Sequence, residues 1–161
     1  MPNVSEGEVM GDSREEDFDR EVRRGIYDFT EREGLPPTVS QAASELSRGA
    51  DEIAASLRRL AEAHVLVLQR DSDEILMLPP YSAVPTPFVV ESEGRTYFAN
   101  CVWDALGVPA MLKRDAEIKT SCGCCGASMN MSIANDVLAM ADGVVHFALP
   151  AARWWDDLVF T

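Results

Sequence analysis

The sequence predicts an α+β fold, in which a winged-helix-like module of three helices and a β-hairpin precedes a small, mostly antiparallel sheet with one short helix. Apolar residues recur at helical spacing up to residue 62, and after residue 65 they form short runs separated by turn-forming residues. With 161 residues, 47% of them hydrophobic, the chain can bury one core or two small ones joined closely.

Three helices are predicted in the first half of the chain. The first runs from Glu15 to near Gly34, because its apolar residues recur every three or four positions. Thr38 and Gln41 predict a capping box for a second helix that ends at Leu46. The third helix carries its apolar face on Ile53, Leu57 and Leu60.

Turn-forming residues divide the chain into four segments. Residues 1–14 show no periodicity and are predicted to be a mobile acidic tail. A hairpin over residues 65–78, followed by Pro79 and Pro80, completes the winged-helix-like domain, which spans residues 15–80. Residues 81–87 are predicted to be a linker to a second domain, which spans residues 88–161.

The second domain is predicted to begin with a hairpin, formed by residues 88–90 and 95–98. A short helix over residues 100–106 follows, stopped near Gly107 and Pro109. Further strands are predicted at residues 116–120, 128–133 and 144–149. The second half is therefore expected to be a sheet with one helix against it.

The charge distribution disfavours nucleic acid as a partner. The net charge is −13, and residues 1–82 hold 18 acidic against 9 basic residues. An acidic surface repels the phosphate backbone, so the winged-helix-like domain is predicted to be a structural module rather than a DNA reader. No apolar run is long enough to span a membrane, and the acidic N-terminus does not resemble a secretory signal. We therefore expect a cytoplasmic protein that does not bind membranes.

Cys101 and Asp104 form the first candidate site, a Cys-x-x-Asp step where a strand turns into a helix. Free N–H groups and the helix dipole stabilise negative charge at a helix start, so we expect the pKa of the thiol to be lowered. Residues three apart share a helical face, so the Asp104 carboxyl group can reach a ligand of the sulfur. The alternative from these four residues alone is a buried, inert cysteine beside a helix-capping aspartate.

Cys122, Cys124 and Cys125 form a second cluster, which contains a Cys-x-x-Cys step. In a reducing compartment such crowding indicates thiol or metal chemistry more than a disulfide scaffold. Soft thiolates favour zinc, copper(I) or mercury, but a structural zinc site needs four ligands and a second Cys-x-x-Cys step is absent. Structural cysteines, a metal or mercury site and a redox pair all remain open for this cluster.

From Pro87 to Thr161 the chain resembles the organomercurial (alkylmercury) lyases. The resemblance is strongest over Phe88-Val89-Val90-Glu91 and Glu93-Gly94-Arg95-Thr96, then at Cys101-x-x-Asp104-x-Leu106. It continues at Pro109-Ala110, Ser121-Cys122 and Gly126-Ala127. The family also opens with a winged-helix-like domain that does not bind DNA, which fits the acidic first half. Residues 88–161 are on this basis identified as a lyase-like catalytic domain.

The resemblance implies cleavage of a carbon–mercury bond by protonolysis, which yields a hydrocarbon and Hg²⁺ and serves mercury detoxification. Cys101 matches a cysteine that binds the mercury of R–Hg⁺, and Asp104 matches the proton donor. No cofactor is implied; Hg²⁺ is the bound product, cellular thiols release it, and mercuric reductase is a candidate acceptor. Cys122 matches a cysteine that is usually structural in the family, whereas Cys124 and Cys125 depart from its best-known members.

One further departure concerns the second catalytic cysteine of the family. That cysteine follows directly on the stretch that matches residues 154–161, so it does not lie within this sequence. We therefore expect a catalytic domain cut short at its C-terminus and weak or no activity of this exact chain. Two alternatives to a lyase remain: a non-catalytic protein that binds soft metal through its cysteine-rich loop, and a metal-responsive winged-helix regulator.

Overall fold

The structure, a computed structural model, describes residues 6–140, 143–147 and 149–156. It has the predicted α+β class: three helices lead into an antiparallel sheet, and a fourth helix packs on one face of that sheet. The described helices include none that is long and apolar enough to cross a membrane.

The three N-terminal helices follow the predicted order. They are α1 (Glu6–Glu33), α2 (Val39–Leu46) and α3 (Ala50–Glu62). The predicted capping box is present, since Gln41 N donates to Thr38 Oγ1 at 3.2 Å and Thr38 N donates to Gln41 Oε1 at 2.9 Å. Helix α1 begins before the predicted start, so residues 6–14 of the expected tail are helical. No proline interrupts this stretch, and extending an existing helix is far easier than nucleating one.

Within the described residues the strands form one eight-stranded antiparallel sheet, in the order β1-β2-β3-β5-β4-β6-β7-β8. The strands are β1 (Val67–Leu68), β2 (Ile75–Leu78), β3 (Tyr81–Ser82), β4 (Phe88–Ser92), β5 (Arg95–Ala99), β6 (Ala116–Ser121), β7 (Ser128–Ala134) and β8 (Val137–Met140). The predicted hairpins and the strands near residues 116–120 and 128–133 are confirmed.

The predicted linker contributes a strand to this sheet. Tyr81 pairs with Leu78 on one side and with Ala99 on the other, so β3 joins the first hairpin to the second. Two apolar cores nevertheless lie on either side of residue 80, and Tyr27 of α1 packs against both. The predicted segments 15–80 and 88–161 therefore keep separate cores but share a continuous sheet.

Helix α4 (Val102–Leu112) continues past Gly107 and Pro109, where the sequence predicted a stop. Val108, Pro109 and Leu112 are all buried, and this burial offsets the backbone hydrogen bond that a proline cannot donate. The helix instead ends at Lys113, which adopts a left-handed conformation.

The strand predicted at residues 144–149 does not form in the described part of this stretch. Residues 144–147 and 149 are irregular, residue 148 lies outside the described part, and Val144 is 92% exposed. An apolar run forms a strand only where a neighbouring strand accepts its hydrogen bonds. The unpredicted strand β8 instead pairs with β7, and a 3₁₀ helix occupies Ala151–Asp156. The core strand expected to start at Leu158 lies outside the described residues.

Candidate active site

Cys101 lies directly after β5 and is the N-cap residue of α4. Its backbone is extended (φ −151°, ψ −178°), and its carbonyl oxygen accepts the first helical hydrogen bond from Ala105 N at 2.9 Å. Strand β5 is fixed by pairing with β3 and β4, and α4 is fixed by its buried apolar face. The sulfur is therefore held between two rigid elements, as a preorganised site requires.

The structure brings Cys101 and Asp104 together, as their spacing predicted. The thiol donates to the Asp104 carboxylate, with 3.6 Å between Sγ and Oδ2. The backbone N–H groups of Trp103 and Asp104 at the start of α4 lie close enough to the sulfur to stabilise negative charge on it, although the Cys101 side chain accepts no capping hydrogen bond. One half-buried site thus holds a soft nucleophile, a carboxyl group and two peptide donors.

The expectation of a lowered pKa for the Cys101 thiol is wrong. Burial raises this pKa, and the negative charge of Asp104 adds to the increase. The N–H groups at the helix start lower the pKa, as predicted, but burial outweighs them. Cys101 therefore retains its proton in the resting site, and a metal ion would have to displace that proton.

Burial likewise raises the pKa of Asp104, while hydrogen bonds from Asn100 and Cys101 oppose that increase. A carboxyl group in this position is more easily protonated than an exposed one. This is the condition that a general acid needs to act near neutral pH.

Asn100 is a site residue that the sequence analysis missed. Its Nδ2 donates to Tyr81 O at 3.2 Å, and its amide also donates to the Asp104 carboxylate. Its Oδ1 is buried without a hydrogen-bond partner among the described residues. The sequence feature that could have identified Asn100 is its position at the end of a strand, immediately before Cys101. A polar residue there faces the helix start, but its partner Tyr81 is distant in sequence.

Trp103, the residue before Asp104, is part of the lining of an apolar cleft of about 720 Å³. Trp103 is 60% exposed. The cleft is lined by Trp103, Val145, His146, Phe147, Leu149 and Trp154, among others. The tilted pair of Phe147 and Trp154, with ring centroids 4.9 Å apart, forms part of its wall. Small-molecule sites are usually mostly apolar clefts of this kind with a few polar groups that orient the ligand.

Cys122, Cys124 and Cys125 lie in the loop between β6 and β7. All four cysteines, Cys101 included, are free thiols. Over the described ranges, no three His, Cys, Asp or Glu side chains converge in a way that could hold a metal ion. The three loop thiols predicted as candidate metal ligands therefore do not form a three-ligand site.

Comparison with known proteins identifies the family of the chain. The family model described as alkylmercury lyase matches residues 81–161, just over half of the chain. An alkylmercury lyase from Staphylococcus epidermidis (strain ATCC 12228 / FDA PCI 1200) is 27% identical over 104 residues, which are 65% of this chain and 46% of that protein. The chain thus spans about half the length of this relative.

A solved structure shares the fold. The crystal structure of the mercury-bound form of MerB2 aligns with a TM-score of 0.59 and 24% identity, over 75% of this chain and 59% of that one. At this identity the likeness establishes the fold alone. The family match rests on residues 81–161, the same part of the chain that carries the Cys101–Asp104 pair. This chain belongs to the alkylmercury lyase family.

Proposed function

We propose that the protein is an organomercurial lyase, which cleaves R–Hg⁺ by protonolysis into a hydrocarbon and Hg²⁺ at Cys101 and Asp104. The observation that carries this proposal is the 3.6 Å contact between Cys101 Sγ and Asp104 Oδ2. An atom bound to the sulfur lies within reach of the carboxyl group, as proton transfer to a bound substrate demands.

The first step is capture of the organomercurial cation by Cys101. The S–Hg bond forms as the thiol loses its proton, and Asp104 already accepts a hydrogen bond from that thiol. The carboxylate therefore receives the proton directly, and its raised pKa favours the protonated form. Sulfur is the ligand that a soft ion such as Hg²⁺ prefers.

The second step breaks the carbon–mercury bond. Its electron pair takes the proton from Asp104, so that a C–H bond forms and the carboxylate is regenerated. Hg²⁺ remains on the Cys101 sulfur, and no electrons are gained or lost overall. The Asn100 amide is itself hydrogen-bonded to Tyr81 O, and it positions the Asp104 carboxyl group beside the Cys101 sulfur.

The organic group of the substrate would occupy the apolar cleft at Trp103. Its aromatic and aliphatic lining suits an aryl or alkyl group. The reaction requires no cofactor in this proposal. Cytoplasmic thiols would supply further sulfur to the mercury and carry it away, with mercuric reductase as an acceptor.

The N-terminal helices support the site rather than read DNA in this proposal. Helix α3 would be the recognition helix of a winged helix, but its two arginines are engaged by carboxylates. Arg58 Nε is 2.7 Å from Asp73 Oδ1, and Arg59 Nε is 2.8 Å from Asp19 Oδ2. Neutralised in this way, they offer little attraction for phosphate.

The test is incubation of the protein with one equivalent of an arylmercurial in excess small thiol, with the free arene measured by gas chromatography. We expect slow arene release that nevertheless exceeds the thiol-only background, and a protein–mercury adduct by intact-mass spectrometry. Cys101→Ala should lose both signals, whereas the matched control Cys124→Ala should keep both. Release that persists in Cys101→Ala, or that never exceeds the background, would contradict the proposal.

A further inference from the structure

The loop between β6 and β7 holds two thiols in a defined geometry. Cys122 N donates to Ala127 O and Gly126 N donates to Cys122 O, both at 2.8 Å, so the loop closes on itself. Gly126 has a φ of +71°, which a side chain would strain. The hydrogen bond from Gly126 N to Cys122 O winds residues 122–126 into a single turn, so Cys122 and Cys125 lie close together.

The loop is open to solvent. Cys124 and Cys125 are exposed. The space around Gly123 and Gly126 is also open, since a Cβ atom at either position would meet nothing beyond its chain neighbours within 4 Å. An ion can therefore reach the pair without any movement of the sheet.

The loop lies at the same edge of the sheet as Cys101. Strands β5 and β6 are both antiparallel to β4, so Ala99 and Ser121 end their strands on the same side. One strand, β4, separates them, which corresponds to about 10 Å at the usual strand spacing. The active-site cysteine and the loop thiols follow directly after these two strand ends.

We propose that Cys122 and Cys125 form a second, two-thiol binding site for Hg²⁺ beside the candidate active site. Two sulfurs satisfy Hg²⁺, whereas a structural Zn²⁺ site needs four ligands, and no three ligand groups converge within the described residues. In this site both thiols lose their protons to solvent and two S–Hg bonds form. The oxidation state of the metal and of the sulfurs does not change.

The source of the ion rests on the proposed function. Hg²⁺ left on Cys101 after protonolysis would move by thiol exchange, carried by a small cellular thiol. The S–Hg bond to Cys101 breaks and that sulfur regains a proton, while Cys122 and Cys125 each lose a proton and form S–Hg bonds. The pair would keep the product ion on the protein and free Cys101 for another substrate.

The binding test uses HgCl₂ alone on the full chain carrying Cys101→Ser, so it does not depend on lyase activity. With a competing monothiol present, we expect one retained Hg²⁺ by native mass spectrometry and thiolate-to-mercury charge-transfer absorption. Cys122→Ser or Cys125→Ser in this background should weaken retention roughly 10²-fold or more, because the second bond becomes intermolecular. Cys124→Ser, the matched control, should retain the ion, and an excess of Zn²⁺ should not displace it.

A second measurement leaves the loop unmutated. Alkylation of the Cys101→Ser chain, followed by peptide mass mapping, should show Hg²⁺ protecting Cys122 and Cys125 while Cys124 reacts. Equal loss of retention in Cys124→Ser, protection of Cys124, or no retained Hg²⁺ would each overturn the proposal. A chain that binds Hg²⁺ here but releases no arene would refute only the lyase function.

Discussion

Replacement of Asp104 by asparagine isolates the proton transfer from the capture of mercury. The amide has the size of the carboxyl group and can still accept a hydrogen bond from Cys101, so the geometry at 3.6 Å should persist. It carries no transferable proton at neutral pH. The thiol remains free to bind the organomercurial, but the carbon has no adjacent acid.

The size of the effect follows from the role assigned to the carboxyl group. A positioned general acid contributes about 10²–10⁴-fold to a rate. At about 1.36 kcal/mol for each factor of ten, this corresponds to roughly 3–5 kcal/mol in the barrier. The upper part of this range applies because Asp104 is partly shielded from water, which would otherwise replace it as the proton donor.

The assay is a single turnover with stoichiometric arylmercurial and excess thiol, followed by both arene release and adduct mass. Asp104→Asn should accumulate the intact arylmercury adduct at full stoichiometry, while the rate of arene release falls by about 10²–10⁴-fold. The control is Glu117→Gln, the same chemical change at an exposed position of β6. Arene release from Asp104→Asn at the rate of the unmodified chain would refute Asp104 as the proton donor.

Three further predictions concern the surroundings of the site and the role of the N-terminal half. Asn100→Ala removes an interaction that lowers the pKa of Asp104, so this pKa should rise further. The alkaline limb of the single-turnover pH profile should therefore move to higher pH. An unchanged alkaline limb would count against the contact between Asn100 and Asp104. Tyr27→Phe and Tyr97→Phe remove hydroxyl donors to Pro79 O and Glu31 O, at 2.7 and 2.9 Å, and each should lower the free energy of unfolding by about 0.5–1.5 kcal/mol in urea titrations. Unchanged urea midpoints would show that these two bonds between α1 and the rest of the fold contribute nothing. A fluorescence titration with duplex DNA at about 0.15 M salt should detect no sequence-specific complex, and a complex tighter than micromolar would restore the regulator hypothesis.

Local features of this protein were determined by the sequence. Thr38 and Gln41 form a capping box because the two residues lie within one helical turn. Cys101 and Asp104 meet for the same reason, since residues three apart share a helical face. The hairpins follow from turn residues between apolar runs. Each of these contacts joins residues only a few positions apart, so tertiary packing was not needed to foresee them.

The tertiary structure decided the features that depend on distant residues. The Cys101 pKa rises because burial, which no four-residue motif reveals, outweighs the donors at the helix start. Asn100 becomes a site residue only because β3 places Tyr81 O beside it. Helix α4 passes Pro109 because the sheet buries its far end. The Cys122 loop lies near Cys101 only because β5 and β6 both pair with β4, and strand order is set by packing between segments rather than by any one of them.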